Sequence, residues 1–114
     1  MNSANRKDTY TRKDFLCDNR LTEAWYRFEG EAGTKMPTTC VDRGKCGTSN
    51  PGWLNGVHPT VADGEVYRKV CFNAFSDCCY DRKRIRVKNC SSYYVYKLDS
   101  TPGCDLRYCG TDSP

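Results

Sequence analysis

The residues able to do chemistry are nine cysteines, a single histidine and one short run of cations. The cysteines are Cys17, Cys40, Cys46, Cys71, Cys78, Cys79, Cys90, Cys104 and Cys109. Thiolates can ligate zinc, act as nucleophiles or pair as disulfides, and spacing separates these uses. No two stand in the Cys-x-x-Cys spacing of a zinc knuckle, and His58 sits in Val57-His58-Pro59, away from every cysteine pair. The pattern reads as disulfides, with neither a metal site nor a cofactor. Cys78 and Cys79 are adjacent and poorly placed to bridge each other, so they should anchor two different bridges. Nine is odd: one cysteine has an absent partner, bonds to another chain or stays free. Counting leaves nine choices of odd cysteine, each with about 105 connectivities.

His58 is the only imidazole, so every Cys-His or Ser-His-Asp scheme must run through it. Cys78-Cys79-Tyr80-Asp81 resembles the paired cysteines of secreted phospholipases A2, but Tyr80 stands where that family's site needs a histidine next to its aspartate. Asp77 and Asp81 lie four apart, a common chance spacing, and no Gly-rich phosphate loop of standard form is present. The chain reads as a non-enzyme, with His58 a loop residue packed on an aromatic ring.

The cations concentrate in Asp81-Arg82-Lys83-Arg84-Ile85-Arg86-Val87-Lys88, where five of eight residues are basic. As a strand, this segment puts Arg82, Arg84, Arg86 and Lys88 on one face, towards water, and Lys83, Ile85 and Val87 on the other. Such a row suits a sulfated glycan, a repeating polyanion. It would equally guard an exposed strand against edge-to-edge association. Asn89-Cys90-Ser91 carries the acceptor pattern of N-glycosylation at Asn89, or else forms a polar hairpin turn.

The elements that must position these groups read as short strands. Ala24, Tyr26 and Phe28 alternate with Trp25, Arg27 and Glu29; Val66, Arg68, Val70 and Phe72 alternate with Tyr67, Lys69 and Cys71 after an Asp63-Gly64 turn signal. Runs from Arg84 to Cys90 and from Tyr93 to Leu98 flank Ser91-Ser92, short enough for a hairpin. Tyr94 and Tyr96 read as packed residues, and Trp25 and Trp53 as core or near it. Alternation fails between Val70 and Asp81, where a short helix is expected. Gly44 to Pro59 carries four Gly and two Pro and reads as a packed loop.

The fold class is therefore mostly β: one small disulfide-rich domain of short antiparallel strands, long ordered loops and at most one or two short helices. Residues 1–16 read as a loosely held polar leader, 17–109 as the cysteine-rich β domain and 110–114 as a tail. With 114 residues and a hydrophobic fraction of 38% that includes every cysteine, the aliphatic core is thin and covalent staples compensate. Disulfides imply an oxidising compartment. The polar N-terminus has no apolar segment typical of a secretory signal, and a fragment of a longer secreted chain is the favoured reading. No stretch nears the run of about 18 apolar residues expected to insert in a membrane. A net charge of +4 is too weak for a general nucleic-acid binder.

A set of motifs carries a resemblance. Trp25-Tyr26-Arg27-Phe28, Gly30, Ala32-Gly33, Met36 and Thr39-Cys40-Val41 are followed by Cys46-Gly47-Thr48, Pro51, Trp53-Leu54-Asn55-Gly56, His58-Pro59 and Asp63-Gly64. Cys71, Cys78-Cys79, Val87-Lys88, Cys90, Tyr93-Tyr94-Val95-Tyr96, Pro102, Cys104 and Tyr108-Cys109 complete it. From about Cys17 to Cys109 the chain resembles the eight-cysteine domain, ten-cysteine in its longer version, of uromodulin, the pancreatic secretory granule major glycoprotein and the liver-specific zona pellucida domain protein.

The resemblance implies the pairs Cys17–Cys104, Cys40–Cys78, Cys46–Cys109 and Cys71–Cys79, leaving Cys90 for a partner upstream or for an oligomer. It also implies a non-catalytic extracellular interaction or spacer module of a secreted or membrane-anchored mosaic glycoprotein, glycan-presenting or adhesion-related. Its partners would be other extracellular domains, proteins or glycans, without nucleic acid. Lys97 stands where a glycan-bearing Asn of this family would be. The alternative is an autonomous secreted protein that binds anionic glycans through the basic strand.

Overall fold

The alternating runs become one twisted six-stranded sheet in the computed structural model, which describes residues 1–12 and 14–113. The strands are β1 (Ala24–Tyr26), β2 (Asn50–Asn55), β3 (Val66–Ala74), β4 (Asp77–Asn89), β5 (Tyr94–Leu98) and β6 (Leu106–Tyr108). They lie in the order β1-β5-β4-β3-β2-β6, antiparallel throughout except for the parallel β2/β6 pair. Among the described residues the helical elements are three one-turn 3-10 segments, Ala4–Arg6, Gly30–Ala32 and Val61–Asp63.

Period-two alternation decides which side is core. Val70 and Phe72 of β3, Ile85 and Val87 of β4, and Tyr96 and Leu98 of β5 are buried on one face. No second sheet covers them. Irregular chain around Phe28, Ala32 and Met36 does so instead, with Phe28 edge-on to Tyr96 at 5.5 Å between ring centroids. On the other face Tyr67, Lys69, Arg82, Arg84, Arg86 and Lys88 are exposed, while Cys71 of β3 and Arg107 of β6 are buried.

The helix expected between Val70 and Asp81 is a tight β3–β4 hairpin. Alternation fails there because β3 and β4 slip register: Phe72 pairs with Asp81 but Ala74 with Asp77, so β4 carries the extra residues opposite Asn73. Phe72, Asn73 and Ala74 are consecutively buried as a result. The two turn residues, Phe75 and Ser76, have φ of 51° and 61°, the backbone of a type I′ turn without its usual glycine.

The loop expected over 44–59 also needs correction, since its middle is strand β2, inserted between β3 and β6. Glycine permits this: a Cβ on Gly52 would lie 2.6 Å from the Phe72 ring. Trp25 corrects another expectation, because β1 is an edge strand and its indole is exposed.

Residues 1–16 were expected to be loosely held, but the part nearest the N-terminus is anchored. Arg6 is buried, its guanidinium donating to both carboxylate oxygens of Asp18 at 2.7 and 2.8 Å and to the Tyr108 carbonyl at 3.0 Å. The Tyr108 N–H in turn donates to Asp18 at 2.9 Å. A hydrophobic pattern cannot announce a packed arginine whose partner lies elsewhere. The expected tail is likewise engaged: Gly110 bridges to Lys7 and Thr111 to Lys35. Lys13 of the leader and Pro114 of the tail lie outside the described residues.

Candidate functional site

The solvent face of the sheet is where the cations gather. Along the 13 residues of β4, Arg82, Arg84, Arg86 and Lys88 are all exposed, while Ile85 and Val87 between them are buried. Lys83 points the other way and is tied to the Asp99 carboxylate at 2.7 Å and the Ser100 carbonyl at 3.0 Å. Register brings Lys69 of β3 beside Arg84, and both Tyr67 of β3 and Lys97 of β5 beside Arg86.

Tyr67 organises this row. The Arg84 guanidinium lies over its ring at 3.8 Å from the centroid. Arg86 donates to its hydroxyl from Nη2 at 2.9 Å and from Nε at 3.2 Å. On one side of Tyr67 a shallow groove of about 350 Å³ is lined by Arg68, Lys69, Arg82 and Arg84, with no acid among its walls. On the other side, a groove of about 190 Å³ runs between Arg84, Arg86 and Lys97 and includes Glu23 and Asp99. Among the described residues the only carboxylate paired with the stripe is Glu65, 3.7 Å from Arg86, and Arg82, Arg84 and Lys88 have none.

β4 is not an edge strand. It has β3 on one side, and from Arg86 to Asn89 it has β5 on the other. Protection against edge-to-edge pairing therefore does not account for Arg86 and Lys88.

His58 is held for packing. Its ring lies 4.3 Å from that of Tyr94, and its Nε2 is 2.7 Å from the Tyr96 hydroxyl. That hydroxyl also accepts the Met36 N–H at 2.9 Å, which leaves its own proton free for the imidazole in the tautomer whose Nε2 is unprotonated. Burial, reinforced by the Lys35 and Arg68 charges, lowers the His58 pKa from 6.5 to about 4. Desolvation raises the Tyr96 hydroxyl well above the ordinary tyrosine value.

At the β4–β5 turn, Asn89 has both ends of its amide engaged. Nδ2 donates to the Pro59 carbonyl at 3.1 Å, and Oδ1 accepts the Ser91 N–H at 2.8 Å. Cys90, beside it, is half-buried and free.

The remaining cysteines pair as Cys17–Cys104, Cys40–Cys78, Cys46–Cys109 and Cys71–Cys79. Cys71 and Cys79 close the hairpin across its bulge, while Cys78 reaches the loop before β2. The Cys17 and Cys104 sulfurs lie beside Asp105 but are bonded to each other, which removes them as metal ligands.

Sequence reasoning missed the Arg6–Asp18 pair and the network beside it. Arg107 is buried, donating to Asn5 and to the Cys46 carbonyl, and burial next to Arg6 lowers its pKa to about 10. Arg107 flanks Tyr108-Cys109, and that adjacency was the only hint of its position.

A disulfide-stapled sheet with one organised, solvent-facing polar surface defines a class of small extracellular β domains. A family model described as "Uromodulin-like, D8C domain" matches residues 26–110, and the chain belongs to that family. It is 50% identical over 97 residues to the pancreatic secretory granule membrane major glycoprotein of Mus musculus, covering 82% of this chain and 18% of that protein. The Rattus norvegicus counterpart is 43% identical over 113 residues, 96% of this chain and 21% of that protein. Uromodulin of Mus musculus is 42% identical over 96 residues, 83% and 15% respectively. The chain thus spans no more than about a fifth of the length of these curated relatives. Family and disulfides together make it an extracellular glycoprotein domain. Among the described residues no helix is long and apolar enough to cross a membrane.

Proposed function

We propose that this domain is a non-catalytic interaction and spacer module of a larger secreted or membrane-anchored glycoprotein. The observation that supports this reading is the division between the two faces of the sheet. One face is consumed by the core, and along β3 and β4 the other presents long, water-facing side chains without enclosing a reactive group. The sole imidazole is committed to Tyr96 and Tyr94. Residues 4–8 lie against 107–112 through the Lys7–Gly110 bridge and the Lys7–Asp112 ion pair.

The test compares binding with turnover on one sample. The secreted domain is screened on arrays of extracellular proteins and glycans, and in parallel on panels of fluorogenic hydrolase and transferase substrates. Reversible, stoichiometric retention without turnover is expected. Turnover that disappears in His58→Gln, a variant that still offers Tyr96 an acceptor, would overturn the reading.

A further inference from the structure

We propose that the basic face of the sheet is a binding site for a sulfated polysaccharide chain, laid along β4. The proposal rests on the interaction-module reading and names the chemical class of one partner.

Three features of the face carry it. The first is linearity. Same-face residues on a strand repeat about every 6.5–7 Å, so Arg82, Arg84, Arg86 and Lys88 form a straight row on the order of 20 Å long. Lys69 and Lys97 widen the row from the flanking strands. A polymer with anionic groups repeated along a line complements such a row better than a compact anion does.

The second is unpaired charge. Surface cations on β-rich proteins are commonly neutralised by cross-strand acids. Here Arg82, Arg84 and Lys88 have no carboxylate partner among the described residues, and neither has Lys69. The groove that Lys69, Arg82 and Arg84 line with Tyr67 and Arg68 is free of acidic groups.

The third is pre-organisation. Tyr67 holds Arg84 by its ring and Arg86 by its hydroxyl, so two flexible guanidinium groups are fixed before any ligand arrives. Less side-chain entropy is then lost on binding. A guanidinium presents a planar fork of donors to a tetrahedral oxyanion, which a lone ammonium cannot.

The acids around the row argue against other polyanions. Glu23 lies beyond Lys97 on one side, and Glu65 is at the start of β3 on the other. A flat anionic bilayer or a wide duplex would be brought against these carboxylates, whereas a single extended chain passes between them. Tyr67 stands above the sheet as a ridge with both grooves beside it, where a sugar ring can rest against its exposed edge.

The experiment measures binding of the secreted domain to a size-defined heparin oligosaccharide. Its fully desulfated counterpart, polyglutamate, duplex DNA and phosphatidylserine vesicles are run alongside at several salt concentrations. Arg82→Gln/Arg84→Gln is compared with Arg12→Gln/Arg20→Gln, which removes the same charge from exposed sites off the sheet. Affinity for heparin should fall at least about tenfold on going from ~0.05 to ~0.3 M salt, and about tenfold in the first double variant. The second should stay within about twofold. Lys88→Gln, exposed and unpaired, provides an independent arm with a fall of about threefold if the first double variant misfolds.

Equal losses in the two double variants would overturn the site. So would equal binding of the desulfated chain, or tighter binding of polyglutamate, DNA or vesicles. If the domain retains other array ligands but does not bind heparin above its desulfated counterpart, only the sulfated-glycan proposal fails. Turnover of a substrate would sink the interaction-module reading itself.

Discussion

At the level of single residues, His58 shows how placement settles a role that composition leaves open. A lone histidine in a loop can serve as a general base, a metal ligand or a packing group. Its ring is partly buried against Tyr94 and Tyr96 and its charged neighbours, Lys35 and Arg68, are cationic, both of which favour the neutral ring. The folded pKa, about 4, lies below the unfolded value of 6.5. Between these values the unfolded chain binds a proton that the folded one refuses, so stability contributed by neutral His58 is present above pH 6.5 and is lost as pH falls towards 4. Because water still reaches part of the ring, the loss should be only about 1 kcal/mol. Urea midpoints at pH 7 and pH 4.5 check this: His58→Gln should show a shallower drop than the parent, and identical drops would contradict the assignment. Tyr67 is the counterpart on the solvent face, a residue whose value lies in the two arginines it holds still.

Among elements, the β3–β4 hairpin and the N-terminal clasp carry the most strain and the most buried charge. The hairpin turns through Phe75-Ser76, both at positive φ, a conformation that costs on the order of 1 kcal/mol or more per residue outside glycine. The Cys71–Cys79 bridge, only eight residues apart in sequence, holds it closed, and Phe75 packs on Tyr80 at 4.9 Å. The clasp works differently: Arg6 and Asp18 satisfy each other and also Tyr108 of β6, so the segment before the first cysteine becomes part of the sheet's margin. Removing one member of a buried pair leaves the other charged and unpartnered. Asp18→Asn should therefore lower stability by roughly 3–5 kcal/mol and open residues 1–16 to protease. A change under about 1 kcal/mol in chemical denaturation, with cleavage unaltered, would place the clasp outside the cooperative unit.

For the whole molecule, one sheet over a thin aliphatic core buries too little to stand unaided, and the bridges restrict the unfolded chain instead. Cys17–Cys104 and Cys46–Cys109, 87 and 63 residues apart, each contribute about 4–5 kcal/mol on the chain-entropy view, against about 2.5 for Cys71–Cys79. Losing Cys46 also exposes a packed sulfur partner, since both Cys46 and Cys109 are fully buried. Cys46→Ser should abolish secretion of folded domain, whereas Cys90→Ser, which breaks no bridge, should secrete normally and unfold within about 0.5 kcal/mol of the parent. Yield and denaturation midpoint from animal cells measure both. Failure of Cys90→Ser to secrete would mean that Cys90 takes part in folding.

The alternation that makes β4 a strand with its arginines outward was legible because a period of two needs no knowledge of the rest of the chain. The same local logic marked the Ser91-Ser92 hairpin, the burial of Tyr96 and the oxidising compartment implied by so many cysteines. The motif spacing pointed to the family. Other features are decided by contacts between distant segments, which no local pattern encodes. The bulge that breaks alternation at Asn73 is one, and β2 threaded between β3 and β6 on Gly52 is another. Arg6 finding Asp18, and Tyr67 meeting two arginines of the neighbouring strand, are of the same kind. Period and composition act within a few residues. Register, which places Lys69 beside Arg84 and Lys97 beside Arg86, exists only once the strands have paired, and it turns a basic run into a surface.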